Sequence, residues 1–376
     1  MARILICYLV QNSGHHSAAR AIEQALHRQD PSITTMCVDL LAYTHPRWSA
    51  LIQKMYMVTI RRTPELWDTL YDSPWVDYMT RRVRALIQRG NSKGLLQLMD
   101  DFKPDAAICT QAHPMAVLKA YMDRRSCRMP LWGVVTDLIP HRFWVAGGGG
   151  VKYVVPSEEA AERLVWLGVQ RKDIRVLGIP INPGFVAEMK TPVVKDENLR
   201  VLVMGGSRGL GARYRTIKYL DQCKEDFTID VVTGSNRRLR ARLARQRNSF
   251  RHPIRIRGFV KDVVALMHRA SLLITKPGGL TSAEAMATGL PMVLIRPLPG
   301  QEKGNTEILV RHGMAVHLRK DREVAPVVST LLRNKELLEM MSERARFMGK
   351  PDAAMSVAAH VIEELKNLKT SRVPAP

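Results

Sequence analysis

The sequence predicts an α/β protein built from two successive parallel, helix-covered sheets. Short apolar runs alternate with helical patterns from end to end, and the alternation starts afresh near residue 199 after a proline-rich interruption. The length of 376 residues, against a prior of roughly 150 per domain, leaves room for two cores.

The first series comprises RILICYLV (3–10), the amphipathic AARAIEQALHR (18–28), ITTMCVDL (33–40), DAAICT (105–110), PMAVLKAYMDRR (114–125) and LWGVVTD (131–137). Apolar runs of this length suit strands buried on both faces of a parallel sheet. Between the second and third strands, residues 43–90 insert a long helical region carrying Trp48, Trp67 and Trp75 and arginine pairs at 61–62 and 81–82. Aromatic and Met positions interleaved with Arg suit a surface in a lipid headgroup zone; an ordinary amphipathic insert packed on the sheet explains the same pattern.

The segment GIPINPGFVAEMKTPVVKDEN (178–198) combines prolines and charges without clean periodicity and reads as irregular, with a linker at 181–198. The second series follows: LRVLVMGGS (199–207), TIDVVTG (228–234), IRIRGFV (254–260), SLLITKPGG (271–279) and PMVLIRP (291–297). Residues 323–348 and 353–369 read as helices, with a frayed tail past Thr370. The expected domains are 1–180 and 199–350, with a C-terminal helix at 351–376 packing back on the first.

Hydrophobic residues at 46% and charged residues at 24% exclude a disordered chain. The outlier is a net charge of +22, concentrated in the second half, which suits a phosphate-bearing partner: nucleic acid, anionic lipid or a phosphorylated small molecule. Five cysteines without CxxC spacing suit a reducing compartment. No apolar run approaches the roughly 18 residues of a spanning helix, and Met1–Val10 reads as a strand and not a signal peptide. The expected location is therefore cytoplasmic, with peripheral membrane contact.

Candidate chemistry sits where strands end. After the first, Gln11-Asn12-Ser13-Gly14-His15-His16 turns sharply into a helix; His15 would stand where ligands bind in open parallel sheets, and a neutral imidazole there can accept a hydroxyl proton. A histidine merely starting a helix is the plainer alternative. Asp137 ends the LWGVVTD strand as a second acid/base candidate or a common strand-terminating residue, followed by His141 and Trp144, whose indole offers a flat apolar wall.

In the second half, Gly205-Gly206-Ser207-Arg208-Gly209-Leu210-Gly211 follows a strand with neither dinucleotide nor Walker spacing, leaving a phosphate cradle without a nicotinamide or ATP signature. Thr233-Gly234-Ser235-Asn236 suits a base or ribose pocket, or a simple turn. The sharpest segment is ITKPGGLTSAEAMATGLPMVLIRPLPGQEKGN (274–305). Gly278 and Gly279 bring backbone against a ligand, the helix from Leu280 aims N–H groups at phosphate, and Glu284 can accept from two ribose hydroxyls. Gln301, Glu302 and Asn305 then suit the hydroxyls of a sugar. Residues 237–257 hold nine arginines and no acid; on a helix from Ser235 to about Asn248, Arg238, Arg242 and Arg245 share a face while Leu239 and Leu243 mark a buried one. That stripe fits a solvated face, anionic lipid or nucleic acid, although no zinc-finger or RNP-like motif supports the last.

With these residues in view, the chain resembles the inverting GT-B glycosyltransferases that include monogalactosyldiacylglycerol synthases, processive diacylglycerol glucosyltransferases and, more distantly, the UDP-GlcNAc transferase of peptidoglycan synthesis. A G-G-G-H-x-x-A/S-A turn is matched from Asn12 to Ala19, and T-D…H-x-x-W by Thr136, Asp137, His141 and Trp144. Tyr153 to Glu158, Gly178 to Ile181, Phe185, Met204-Gly205-Gly206, Gly258-Phe259, Lys276 to Gly279, Glu284-Ala285 and Gly300 to Asn305 match further family stretches. Asn12 and Ser13 replace two family glycines, and Pro277-Gly278-Gly279-Leu280 departs from the usual glycine-proline-glycine order.

The resemblance implies two Rossmann-like domains with parallel sheets facing across a cleft. It also implies transfer of a hexose from UDP-galactose or UDP-glucose to diacylglycerol with inversion, at an anionic phospholipid surface on the cytoplasmic face of the membrane. His15 would be the catalytic residue, with Asp137 supporting it, and His141 and Trp144 would meet acceptor or lipid. Gly14, Gly206, Ser207, Arg208, Thr233, Gly234, Asn236, Phe259, Val260, Gly278, Gly279, Leu280 and Thr281 would contact the donor, Glu284 its ribose, and Gln301, Glu302 and Asn305 its sugar side. No D-x-D pattern for a divalent ion is present, so no metal is expected; no cofactor beyond the donor and no nucleic-acid partner are expected either. A polyprenyl-linked peptidoglycan precursor as acceptor, a sugar-nucleotide epimerase, and a basic lipid- or nucleic-acid-binding protein with a degenerate sugar site stay open as alternatives.

Overall fold

The structure is a computed structural model and describes residues 2–44, 92–145, 148–189, 199–206, 209, 211, 213–298 and 300–370. Most of the tryptophan-rich insert at 43–90, the remainder of the linker from residue 190, Ser207 and Arg208, and the tail past Thr370 lie outside the described residues. Two compact units emerge, Met1–Pro183 with Pro299–Gln301 and Asp352–Pro376, and Gly184–Leu298 with Glu302–Pro351.

In the first unit, β1 (Arg3–Tyr8), β2 (Thr34–Asp39), β3 (Ala106–Cys109), β4 (Leu131–Val134), β5 (Lys152–Val155) and β6 (Ile174–Val176) pair in parallel in the order β2-β1-β3-β4-β5-β6. The period of two in a strand divides β1 between two cores. Ile4, Ile6 and Tyr8 pack with Ala19, Ile22, Ala25 and Leu26 of α1 (Gly14–Gln29), whereas Leu5 and Cys7 join Leu95 and Leu98 of α3 (Ser92–Phe102) and Met115 and Leu118 of α4 (Ala112–Arg124). A short helix, α2 (Leu40–Thr44), follows β2, and α5 (Glu158–Trp166) follows β5. Ser13 starts α1 from an extended backbone, its hydroxyl accepting the His16 N–H at 3.2 Å, and the helix's small alanines let it lie close to the strands. The last helix, α14 (Ala353–Thr370), adds Val357, Ala358 and Val361 to that core. It is held by an ion pair between Lys152 and Glu364 and by Gln29, whose amide donates to the Met355 carbonyl at 2.7 Å.

In the second unit, β7 (Arg200–Met204), β8 (Thr228–Val232), β9 (Ile254–Arg257), β10 (Leu272–Thr275), β11 (Met292–Ile295) and β12 (Ala315–Leu318) take the order β12-β11-β10-β7-β8-β9, again all parallel. One face packs against α7 (Tyr214–Leu220), α8 (Arg237–Arg245), α12 (Val324–Arg333) and α13 (Lys335–Met348) through Ile217, Leu220, Leu243, Val328, Leu331 and Met341. The unit also contains α6 (Gly184–Met189), α9 (Val264–Arg269), α10 (Gly279–Thr288) and α11 (Gln301–Arg311).

The two parallel sheets match the sequence expectation, and the differences are local. Strands β5, β6 and β12 are not among the expected apolar runs; β6 and β12 lie at sheet edges and are interrupted by Arg175 and His317. The segment 178–198, read as irregular, contains α6, whose Phe185 is fully buried; Pro183 immediately precedes the helix, a position where its missing N–H costs nothing. The arginine-rich helix is shorter than expected, starting after Asn236 and ending at Arg245, but it buries Leu239 and Leu243 and exposes Arg238, Arg242 and Arg245. The expected single helix 323–348 is two, because Asn334 leaves helical geometry at φ −101° and ψ 85° and its side chain accepts the Leu337 N–H at 2.9 Å. Asn334→Ala removes that cap and is expected to cost about 1 kcal/mol, lowering the thermal midpoint by about 2–4 °C.

Candidate active site

In the first unit, three adjacent strand ends converge. His15 is the second residue of α1, Thr110 follows β3 and Thr136 lies just past β4. His15 Nδ1 lies 3.0 Å from the Thr110 carbonyl oxygen and 2.7 Å from Thr136 Oγ1. A carbonyl can only accept, so Nδ1 carries the proton and the lone pair of the neutral ring is on Nε2, the basic nitrogen. The Thr110 hydroxyl donates back to the His15 carbonyl at 3.0 Å, and Thr136 Oγ1 donates to the Thr110 carbonyl at 3.3 Å, locking the first turn of α1 to β3 and β4. Thr110 and Thr136 are both buried, and neither was singled out as a site residue. Thr110 has no sequence signal beyond a hydroxyl at the end of an apolar run, whereas Thr136 opens the T-D…H-x-x-W match.

The chain reaches His15 through Asn12 at φ +57°, a left-handed conformation that glycine adopts freely and asparagine tolerates. Both departures from the family glycines are thereby accommodated: Asn12 keeps the turn and Ser13 caps the helix. Asp137 is buried at 6% exposure in the loop after β4. The half-buried His141 is pushed down to about 3 by desolvation and by the neighbouring His15, so it is neutral throughout the physiological range. The Gln301 side-chain amide lies 3.3 Å from His141 Nε2. Trp144 does not present a wall to a ligand, contrary to expectation. It is 1% exposed and packs over Gly133 beside Met115 and Tyr153, whose hydroxyl donates to the Trp144 carbonyl at 2.9 Å.

In the second unit, glycine-rich turns follow β7 and β10. Gly206 and Gly209 take φ of +72° and +63°, and the Gly209 N–H donates to the Gly206 carbonyl at 2.8 Å. A Cβ on Gly209 would stand 2.2 Å from the Thr233 carbonyl oxygen, so the loop can sit against β8 only as glycine. Gly209→Ala is expected to cost about 1–3 kcal/mol or to displace the loop, read as a lower thermal midpoint. After β10, Gly278 precedes α10 with no side-chain cap, so the N–H groups of Gly279, Leu280 and Thr281 form an anion-attracting terminus.

Lys276 supplies the charge. Its Cε is 3.0 Å from where a Gly206 Cβ would lie and its Nζ 3.7 Å from where a Gly278 Cβ would lie, so an ammonium stands between the two glycine turns. Lys276 appears in the motif but was not expected as a site residue; its alternation with prolines and glycines hid it. Glu302 is not offered to a ligand as expected. One oxygen pairs with Lys276 and the other accepts the Leu298 N–H at 2.8 Å, so it orients the lysine and the loop. Asn305 is fully buried and donates to the Pro277 carbonyl at 3.0 Å, bracing the same turn from below.

Glu284, on α10 and 8% exposed, has its carboxyl pushed up to about 8 by burial and then by Asp262. Two other expected donor contacts are used internally: Thr233 is fully buried, its hydroxyl donating to the Arg257 carbonyl at 3.0 Å, and the Asn236 side chain caps α8 by accepting the Leu239 N–H at 3.0 Å. Gly234 takes φ +58° between them, while Phe259 at 54% exposure and Val260 follow β9 with apolar surface available. Gly14 opens α1 beside His15. Among the described residues no group of three His, Cys, Asp or Glu is placed to hold a metal ion, and no helix is long and apolar enough to cross a membrane.

Residues 15–181 match the family model for monogalactosyldiacylglycerol (MGDG) synthase, and residues 200–357 match the glycosyltransferase family 28 C-terminal domain. The two halves of the chain are thus similar to an MGDG synthase domain and to a glycosyltransferase family 28 C-terminal domain. A processive diacylglycerol beta-glucosyltransferase of Bacillus licheniformis is 28% identical over 368 residues, covering 96% of this chain and 94% of the relative. Among solved structures, Acinetobacter baumannii MurG superposes with a TM-score of 0.63 at 17% identity, covering 96% of this chain and 100% of MurG. UDP-GlcNAc 2-epimerase from Neisseria meningitidis, solved bound to UDP-GlcNAc, gives 0.61 at 13% identity, covering 96% and 100%. These structural likenesses show that the chain has the GT-B fold.

Proposed function

We propose that the chain is a UDP-sugar-dependent inverting hexosyltransferase that moves galactose or glucose to the 3-hydroxyl of diacylglycerol. The observation that carries this reading is similarity along 96% of the chain to a protein named processive diacylglycerol beta-glucosyltransferase. The geometry supplies matching chemistry. Residues 1–180 would take the lipid, with the helix at 351–376, and residues 199–350 the nucleotide sugar.

The hydroxyl oxygen of diacylglycerol attacks the anomeric carbon as the bond to the UDP oxygen breaks, giving inversion and releasing UDP. His15 Nε2 takes the hydroxyl proton, because the Thr110 carbonyl keeps the ring proton on Nδ1. Asp137 supports the developing positive charge. The diphosphate is met by Gly206, Gly278 and the N–H groups of Gly279, Leu280 and Thr281, with Lys276 offsetting the charge that develops on the leaving group. Gly234, Phe259 and Val260 border the base, Glu284 accepts from the ribose hydroxyls and Gln301 from the hexose; the donor contacts expected of Ser207 and Arg208 fall outside the described residues.

The excess of positive charge suits peripheral attachment to anionic phospholipid at the cytoplasmic face. The test is UDP release by the purified chain from UDP-galactose and UDP-glucose with diacylglycerol in anionic vesicles, with mass spectrometry of the lipid product. A monoglycosyl or diglycosyl diacylglycerol is expected. Release no faster than background hydrolysis with both sugars overturns the reading, and a sugar appearing on a polyprenyl acceptor instead would replace diacylglycerol as substrate.

A further inference from the structure

The ends of β11 and β12 border a cavity of about 390 Å³ that the reaction above does not use. Six cations line it: Arg213 and Arg215 at the start of α7, Arg296 immediately after β11, and Arg319, Lys320 and Arg322 after β12. Asp321 is the carboxylate among the lining residues, and it is already committed, pairing with Arg296 and accepting from Thr216 Oγ1 at 3.0 Å.

Arg296 is the centre of this arrangement. Its backbone takes φ +49°, a left-handed conformation that β-strands do not deliver by default, and this sets the residue where the strand ends. Its Nη1 is buried and meets no hydrogen-bond acceptor among the described residues. Burial lowers its pKa against the pull of Asp321, and the nearby Arg213 and Arg215 add to the lowering. Arg213, Arg215, Arg319 and Arg322 are exposed, within reach of an incoming ligand. A guanidinium cluster around an unfilled hydrogen-bond donor matches the paired oxygens of phosphate better than any neutral group. The volume falls in the range of small-molecule sites, roughly 300–1,000 Å³.

We propose that this cavity binds a phosphate-bearing anion at a site separate from the donor-binding residues. None of its lining residues belongs to the turns at 205–209 and 278–281 or to 301–305, so the inference stands whether or not those turns hold UDP. The anion is either a free diphosphate-bearing molecule or an anionic phospholipid headgroup, which offer the same oxygens to the same forks.

The experiment compares the full chain with Arg215→Glu and Arg319→Glu, both at exposed positions, and with Arg319→Gln as a milder variant should either reversal lower the thermal midpoint. Calorimetry with inorganic pyrophosphate is performed under saturating UDP, and co-sedimentation with phosphatidylglycerol vesicles is compared with phosphatidylcholine vesicles. A saturable pyrophosphate site whose Kd rises at least about tenfold in the variants, with vesicle binding unchanged, supports the proposal with a free phosphate as ligand. Loss of phosphatidylglycerol binding in the variants supports it with a lipid headgroup as ligand. Variants that match the unsubstituted chain in both measurements overturn it.

Discussion

Replacing His15 with alanine is expected to lower kcat by about a thousandfold while changing the KM for the UDP-sugar less than about threefold, because a positioned general base contributes in this range and the imidazole belongs to the acceptor side. The expectation rests on one hydrogen bond. The Thr110 carbonyl holds Nδ1 in its protonated form, which leaves Nε2 as the nitrogen able to take the hydroxyl proton. Thr136→Val removes the contact at 2.7 Å but keeps the carbonyl, so a loss of no more than about tenfold is expected, with the donor KM unchanged. Steady-state kinetics with varied UDP-sugar separates the two. A His15→Ala enzyme retaining a fifth of its kcat would remove the residue from the chemistry.

The second large effect belongs to Glu284. Its carboxyl is pushed up to about 8 from 4.5, so at neutral pH the ligand-free protein holds it mostly protonated. A carboxylate accepts from two hydroxyls whereas the acid donates one hydrogen, so donor binding expels the proton, and the KM for UDP-sugar should fall as pH rises from about 6.5 to 9. Glu284→Gln is expected to abolish that slope and to weaken donor binding by about 10–100-fold, the usual scale for a hydrogen bond to a charged group. Stability runs the opposite way. The folded pKa lies above the unfolded one, so the stabilising contribution is fully present below about 4.5 and is lost as pH climbs through about 8. The unliganded protein should therefore lose thermal midpoint between pH 6 and 9, and Glu284→Gln should lose less. Parallel melting curves for the two proteins would discard the idea.

The candidate chemistry was legible where it depends on neighbours in the chain. Ser13-Gly14-His15 reads as a helix start at a strand end from its own residues, and Gly278-Gly279 reads as an uncapped terminus in the same way. What the local pattern conceals is the use to which a side chain is put. Trp144 looks like a surface aromatic beside His141 and Arg142, yet Gly133 on β4 leaves a hollow that its indole fills together with Met115 and Tyr153. Glu302 looks like a sugar ligand beside Gln301, yet Lys276, 26 residues earlier, takes its charge. Asn236 and Thr233 look like pocket residues, yet a helix cap and a bond to Arg257 engage them.

The amino-acid order alone determined two parallel α/β units and the turns from which the candidate residues project, because hydrophobic periodicity, capping and glycine conformations act over a few residues. Tertiary structure decided which polar groups stay available. His15 acquires its tautomer from a carbonyl 95 residues away, and Arg296 meets Asp321 across 25 residues while its other nitrogen is left without an acceptor. Hydrogen bonds and charges act through space at about 3 Å, and burial sets their strength, so their partners emerge only when distant strand ends are brought side by side.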